Sequence, residues 1–107
     1  MGLIAIGKKT VTAAGTPEAV TATAQRLRSI KLQALPTNTG KVWVGTSALN
    51  KSTGAGVLHV IEAPSGSTSI PGVTLGIEKG SSSLQATEIY IDVDTSGEGV
   101  HVAGNLG

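Results

Sequence analysis

The chain has 107 residues, enough for one domain of ordinary size and little more. Its 10 Val, 8 Ile and 13 Thr favour strands, and one Trp, one Tyr and no Phe imply an aliphatic core. Charged residues make up only 14% and the net charge is +1, which argues against nucleic acid as a partner, and a chain without cysteine has no disulfide, thiolate metal site or cysteine nucleophile.

The N-terminal residues 1–25 are predicted to form an arm and the first strands ahead of a β domain at 26–107. The apolar run from Leu3 to Ile6 is far shorter than the roughly 20 residues that span a bilayer, so we expect no membrane association and no export signal. Apolar chain ends are poorly ordered unless they add to a sheet, in the same protomer or in the next one. Leu3, Ile4 and Ile6 are therefore candidate protein-interface residues.

Residues 16–28 allow two interpretations. Thr16 and Pro17 are typical of a helix start, and apolar residues recur at helical spacing as far as Leu27. The β-branched run at 20–23 instead favours an extended chain. We prefer the extended interpretation.

Alternation of apolar and polar residues predicts strands at 29–34, 41–45, 73–77, 88–94 and 99–103, and the apolar run at 57–61, broken only by His59, predicts another. Turn residues at 36–40 and 95–97 predict two β-hairpins, and the Ser/Thr/Gly-rich residues 46–56 predict an exposed loop. The residues on the inward faces, and therefore the predicted core, are Ile30, Leu32, Val42, Val44, Val73, Leu75, Ile77, Ile89, Ile91, Val93, Val100 and Val102. The pattern predicts an all-β fold, a single antiparallel β-sandwich or small β-barrel with an extended N-terminal arm.

Two sets of residues invite a metal interpretation. The run from Asp92 to Gly97 matches the start of an EF-hand loop, but the twelfth position is Ala103 and strands flank it, so an acidic turn with at most a weak cation between Asp92, Asp94 and Glu98 is preferred. The histidines are the second set. His59 and His101 would need a carboxylate such as Glu62 to hold zinc, and both lie within apolar strands. We predict no metal site.

Catalytic motifs are absent from the sequence. It has no Gly-x-Ser-x-Gly elbow, no Gly-x-x-x-x-Gly-Lys-Ser/Thr loop and no complete dinucleotide fingerprint. We therefore predict a protein that is not an enzyme, with no catalytic residues and no cofactor.

Trp43 is one of only two aromatic residues and lies on the face opposite Val42 and Val44. A tryptophan in that position is either buried beneath the terminal arm or used as an interface anchor, since tryptophan is enriched at interaction hot spots. Both interpretations remain open, and Trp43 joins the candidate interface residues.

The order of these segments resembles small β-structured virion proteins of tailed bacteriophages. The matching stretches, within residues 26–103, are R-S-I-K-L-Q-A at 28–34, N-T-G-K-V-W-V-G at 38–45, P-G-V at 71–73, I-Y-I-D-V at 89–93 and G-E-G-V-H-V at 97–102. Similar modules occur in capsid decoration (cement) proteins, head fibres and tail or baseplate components, and none carries active-site residues.

The resemblance implies a non-enzymatic capsid decoration protein that binds and stabilises the major-capsid lattice. It implies a virion location on the head exterior after synthesis in the host cytoplasm, the major capsid protein or another virion protein as partner, and a homo-oligomer such as a trimer. A tail, baseplate or head-fibre component is the alternative. A carbohydrate-binding module fits less well, because stacking on sugar rings needs a row of exposed aromatics.

Overall fold

The computed structural model describes residues 3–21, 26–64, 72–76 and 84–105. Ten strands follow one another: β1 (Leu3–Thr10), β2 (Glu18–Ala19), β3 (Arg26–Leu27), β4 (Ser29–Ala34), β5 (Val42–Asn50), β6 (Ala55–Ile61), β7 (Gly72–Gly76), β8 (Leu84–Gln85), β9 (Tyr90–Val93) and β10 (Gly99–Asn105). One 3-10 turn, Ala86–Glu88, precedes β9. The predicted all-β fold is confirmed.

The strands form two four-stranded antiparallel sheets. Sheet A has the order β1-β10-β4-β7, sheet B has the order β2-β9-β5-β6, and the short strands β3 and β8 pair separately. Neither large sheet closes on itself, so the architecture is a small sandwich and not a barrel. Apolar residues of both sheets share one buried cluster, as the burial of one face of each sheet requires.

The predicted core is largely confirmed. Nine predicted positions are buried and Val73 is half-buried against them, whereas the side chains of Leu75 and Ile77 lie outside the described residues. The buried set also includes apolar residues that the alternation did not predict: Val11, Val20, Leu27, Ala34, Leu35, Leu49 and Ile61. Val11 and Val20 show that the described part of the N-terminal segment, residues 3–21, contributes to the core of the sandwich.

Both predicted hairpins are wrong. β4 pairs with β10 and β7, and β5 pairs with β6 and β9, so the turn at 36–40 carries the chain from sheet A to sheet B. The turn at 94–98 crosses back, from β9 in sheet B to β10 in sheet A. Stacked sheets are about 10 Å apart, a distance that five residues cover easily, so a short turn between two strands does not by itself specify a hairpin.

The predicted loop at 46–56 is also wrong. β5 continues to Asn50 and β6 begins at Ala55, and these two strands form a hairpin whose turn is residues 51–54. Small polar residues suit this segment because it extends beyond the core-facing part of both strands, where large apolar side chains would be exposed.

Residues 16–21 and 26–28 contain short strands and no helix, in agreement with the extended interpretation; residues 22–25 lie outside the described part. An ion pair of 2.8 Å between Lys9 of β1 and Glu18 of β2 links sheet A to sheet B along one side of the sandwich. Within the described ranges, no helix has the length and apolarity to cross a membrane.

Candidate functional site

The N-terminal strand lies against its own chain. β1 pairs with β10, with Leu3 opposite Asn105 and Ile4 opposite Gly104, and it forms one edge of sheet A. Ile6 is half-buried and packs against the core, while the side chains of Leu3 and Ile4 lie outside the described residues. The segment is thus tied down within the protomer, and an interface role for these three residues stays a prediction.

Trp43 lies on the outer face of sheet B and is half-buried. Its indole N–H donates a hydrogen bond of 3.0 Å to Oδ1 of Asp94, and the same oxygen accepts a hydrogen bond of 3.2 Å from Nζ of Lys51. Lys51, which shares this acceptor with Trp43, lies in the turn of the β5–β6 hairpin.

That hairpin folds back over sheet B. Nζ of Lys51 donates a 2.6 Å hydrogen bond to the carbonyl oxygen of Val93, which pairs with Val42 at the start of β5. Nine residues of straight strand would carry the chain roughly 30 Å from Val42, far beyond the reach of a lysine side chain. β5 must therefore bend sharply. We call residues 46–56 the flap.

Two glycines allow the bend. A Cβ atom on Gly45 would collide with the carbonyl oxygen of Gly56, and one on Gly56 would lie 2.8 Å from the carbonyl carbon of Ala48. Gly56 also has a φ of +69°, a conformation that favours glycine. The two strands of the flap cross here at backbone contact, and Leu49 is buried against Gly45.

The Asp94 carboxylate accepts hydrogen bonds from both Trp43 and Lys51 and so connects the flap to sheet B. Partial burial by itself raises the pKa of Asp94, but the hydrogen bonds from Trp43 and Lys51, together with the positive charge of Lys51, outweigh it and lower the pKa overall. Asp94 is therefore held as a carboxylate, the form that accepts both hydrogen bonds.

The carboxylates of residues 92–98 accept hydrogen bonds from the backbone of neighbouring loops. The buried Asp92 accepts hydrogen bonds from the backbone N–H groups of Gly15 (2.9 Å) and Val93 (2.8 Å). Glu98 accepts hydrogen bonds from the N–H of Thr39 (2.7 Å) and the N–H of Gly40 (3.0 Å). Asp92, Asp94 and Glu98 therefore accept hydrogen bonds from different donors. Within the described residues, they do not form a cluster that could hold a cation.

The two histidines belong to different sheets. His59 is exposed on β6 of sheet B, and His101 is exposed on β10 of sheet A. Glu62, the carboxylate considered with them, lies 4.0 Å from Nζ of Lys41. Over the described ranges, no three side chains of the metal-binding types come together.

An apolar feature that the sequence analysis missed lies at the edge of sheet B. In the described part of the chain, β6 hydrogen-bonds to β5 alone, and Leu58 in its middle is 54% exposed. Leu58 borders a cleft of about 520 Å³ whose wall includes Tyr90 and Thr46. The available signal was the apolar run at 57–61, because an edge strand that is apolar at every position except one leaves an apolar side chain on its open face.

Comparison with protein families, curated proteins and solved structures gives no match for this chain.

Proposed function

We propose that this protein is a non-enzymatic structural protein of a tailed-bacteriophage virion, most specifically a capsid decoration protein that binds the major-capsid lattice. The resemblance of residues 26–103 to that group motivates the choice of particle. The weakly charged surface, with 14% charged residues, suits attachment through backbone pairing and apolar contacts better than through charge alone.

The β6 edge, which pairs only with β5 among the residues that the structure describes, is the observation that carries the proposal. Unpaired N–H and C=O groups along an edge strand are a template for a strand from another chain, and such pairing recurs in protein recognition. Leu58 lies on this edge strand and borders the cleft beside Tyr90, so the two together provide an apolar site for a side chain of the added strand. An extended segment of a capsid subunit fits this arrangement.

The energetics favour many weak contacts. Covering one leucine side chain contributes at most about 1.5–3 kcal/mol, and Leu58 is already partly covered. Association of two proteins costs at least about 4 kcal/mol in lost freedom of motion, so one such contact with a few backbone hydrogen bonds holds weakly. A repeated lattice, or an oligomer that attaches at several points, multiplies the effect.

Particle composition tests the role. Phage particles purified from a lysate are separated on a stained gel, and the copy number of this protein is compared with that of the major capsid protein. A decoration protein is present in numbers similar to the capsid subunits and covers the head in cryo-electron microscopy. A few copies per particle would point to the tail, baseplate or head fibre, and absence from purified particles would overturn the virion role.

A charge placed on the edge tests the attachment surface. Leu58→Glu puts a carboxylate where a partner strand would pack and is expected to abolish particle binding while the protein stays folded. Thr37→Glu, on the exposed loop between β4 and β5, makes the same charge change away from β6 and serves as the control. Equal binding by both variants would exclude the β6 edge as the attachment surface.

A further inference from the structure

The two sheets carry opposite charge. The four strands of sheet A contain Lys8, Lys9 and Lys31 and no acidic residue. The four strands of sheet B contain Glu18 and Asp92 and no Lys or Arg.

The positive charge of sheet A faces outward. Val100 and Val102 of β10 are buried, so the alternation of a strand turns His101 to the outer face, where the register places it opposite Lys8 on β1 and Gln33 on β4. Lys31 is the next outward residue of β4, and all of these except the half-buried Gln33 are exposed. Directly opposed side chains on neighbouring strands lie roughly 5 Å apart, so the basic groups share one patch.

Lys8 and Lys31 differ from Lys9, the third lysine on the strands of sheet A. Lys9 turns to the opposite face of β1 and pairs with Glu18 over 2.8 Å. No ion pair involves Lys8 or Lys31 among residues 3–21, 26–64, 72–76 and 84–105.

A depression of about 270 Å³ lies within this patch. Its small lining residues are Gly7 and Ala103, and its polar ones are Lys31, Gln33 and His101. A bulge in the pairing of β1 with β10 lies at Gly7, whose φ is +119°. Because this residue is glycine, no side chain projects from β1 at this point. The space beside the bulge is lined by Lys31 and His101, whose side chains carry N–H groups.

We propose that this depression binds a carboxylate side chain of an acidic surface on a partner protein. A carboxylate accepts charge-assisted hydrogen bonds from lysine and hydrogen bonds from an imidazole N–H, and Lys31 and His101 provide these groups. The volume lies just below the roughly 300–1,000 Å³ of pockets for small-molecule ligands and suits one side chain.

Nucleic acid fits the same patch less well. Both aromatic residues of the chain lie on sheet B, so sheet A offers no ring on which a base stacks. The basic groups of the patch are Lys8, Lys31 and His101, which are few for a surface that follows a phosphate backbone. The inference rests on the proposed function only in taking the partner to be a protein, and it adds a second contact face distinct from the β6 edge.

The probe for the test is a hexaglutamate peptide, titrated at low ionic strength into the isotope-labelled protein while amide chemical shifts are recorded by NMR. Shifts are expected to concentrate at Lys31, Gln33, His101 and Ala103, and to diminish in 0.2 M NaCl, because salt at this ionic strength screens exposed charges over a length of less than about 8 Å. Shifts concentrated on sheet B, or none at millimolar peptide, would overturn the proposal.

Matched charge reversals make the test specific. Lys31→Glu is expected to weaken peptide binding by up to about fivefold, the effect of losing one favourable exposed ion pair, and Lys8→Glu is a second variant in case the first perturbs the sheet. Lys41→Glu changes the net charge equally but lies before β5, outside sheet A, and is expected to leave binding unchanged. Equal weakening by Lys41→Glu would show that only net charge matters and would overturn the site.

A deoxythymidine hexamer distinguishes the partner class. Tighter binding of the hexamer than of hexaglutamate at the same patch would overturn the choice of a protein partner. The peptide result is independent of particle composition, since absence of the protein from virions would remove the proposed function and leave the carboxylate site standing. Loss of the site would equally leave the β6 edge and the virion role to their own tests.

Discussion

Asn38 and Gly99 are joined by two hydrogen bonds in opposite directions. The Asn38 side-chain amide donates to the Gly99 carbonyl oxygen over 2.7 Å, and the Gly99 N–H donates to the Asn38 side-chain oxygen over 3.3 Å. Asn38 lies in the connection that crosses from sheet A to sheet B, and Gly99 lies where the chain has crossed back. The pair therefore fastens the two crossings to each other at one end of the sandwich.

We expect Asn38→Asp to destabilise the protein by about 1–3 kcal/mol, because the new side chain cannot donate to the Gly99 carbonyl and places a charge in a buried site. Asn50→Asp is the control, since Asn50 is exposed and its oxygen serves only as an acceptor for the N–H groups of Ser52 and Thr53. Urea denaturation measures both. A loss for Asn38→Asp no larger than that of the control would mean that the crossings are held by other contacts.

Ile91→Ala tests the register of the central strands. Ile91 is fully buried on β9 between β2 and β5, so its truncation is expected to cost about 2–5 kcal/mol. Leu58→Ala removes a comparable side chain from the exposed edge and should cost less than about 0.5 kcal/mol. Equal losses in thermal or urea unfolding would contradict the assigned faces of sheet B.

The sequence predicted which side chains face the core better than it predicted which strands pair. Alternation in β4, β5, β9 and β10 depends on one buried face, and burial is the same whether the next strand lies beside it or across the sandwich. The turns at 36–40 and 94–98 have the glycines and polar residues of hairpin turns, but hydrogen bonds between the turns themselves, through Asn38 and Glu98, determine their paths. Those contacts are about 60 residues apart in sequence and leave no local pattern.

The candidate site was predicted less well, for two physical reasons. Trp43 was correctly placed opposite the core face. Its proximity to Lys51, however, depends on the bend of β5 at Gly45, where the backbones of Gly45 and Gly56 approach each other closely. Leu58 was hidden in a run that reads equally well as a central strand. Only the strand order, which leaves β6 at an edge, turns it into an exposed residue.

Lys51→Met is expected to loosen the flap. The substitution keeps a long apolar side chain but removes the donor to Val93 and Asp94, so we expect a loss of about 0.5–1.5 kcal/mol. Because Trp43 is the only tryptophan and shares the Asp94 oxygen, its fluorescence should shift to longer wavelength as the flap opens. Lys8→Met on sheet A is the control, and an unchanged spectrum for Lys51→Met would mean that the flap is held without this contact.

Gly45→Ala tests the bend itself. The added methyl group would collide with the Gly56 carbonyl, so we expect a loss of at least about 1–3 kcal/mol, the usual cost of overpacking. Gly54→Ala in the same hairpin measures backbone strain without a collision, because Gly54 has a positive φ and open space around it. A loss for Gly45→Ala below about 1 kcal/mol in urea unfolding would contradict the crossing of the two strands.

Stability is expected to fall in acid. The hydrogen bond from Lys9 and the one from the Thr12 N–H lower the pKa of Glu18 below its ordinary 4.5. At Glu98, partial burial raises the pKa, but the hydrogen bonds from Gly40 and Thr39 outweigh it and lower the pKa overall. A carboxyl whose folded-state pKa is lowered stabilises the fold above the unfolded-state pKa, and this contribution is lost as pH falls through the folded-state value.

The melting temperature measured from pH 7 to pH 3 should therefore decrease below about pH 4.5, and Glu98→Gln should reduce that decrease. Salt separates the two carboxylates: 0.5 M NaCl screens the ion pair of Glu18 with Lys9, whereas Glu98 is bound by uncharged donors and should respond less. A melting temperature that is constant across this range would contradict both assignments.

Deletion of residues 1–7 distinguishes an arm held within the protomer from one exchanged between protomers. With β1 on its own β10, the deletion removes the pairing of residues 3–7 and the packing of Ile6, which contributes up to about 1.5–3 kcal/mol, and it leaves β10 paired with β4. We expect a less stable but folded protein, whose newly open β10 edge promotes association in solution. Deletion of residues 1–2 alone is the control, since it leaves β1 intact. If instead the intact protein is an oligomer by light scattering and the longer deletion converts it to a monomer of unchanged stability, β1 is exchanged between protomers and the pairing within one chain does not describe the assembled state.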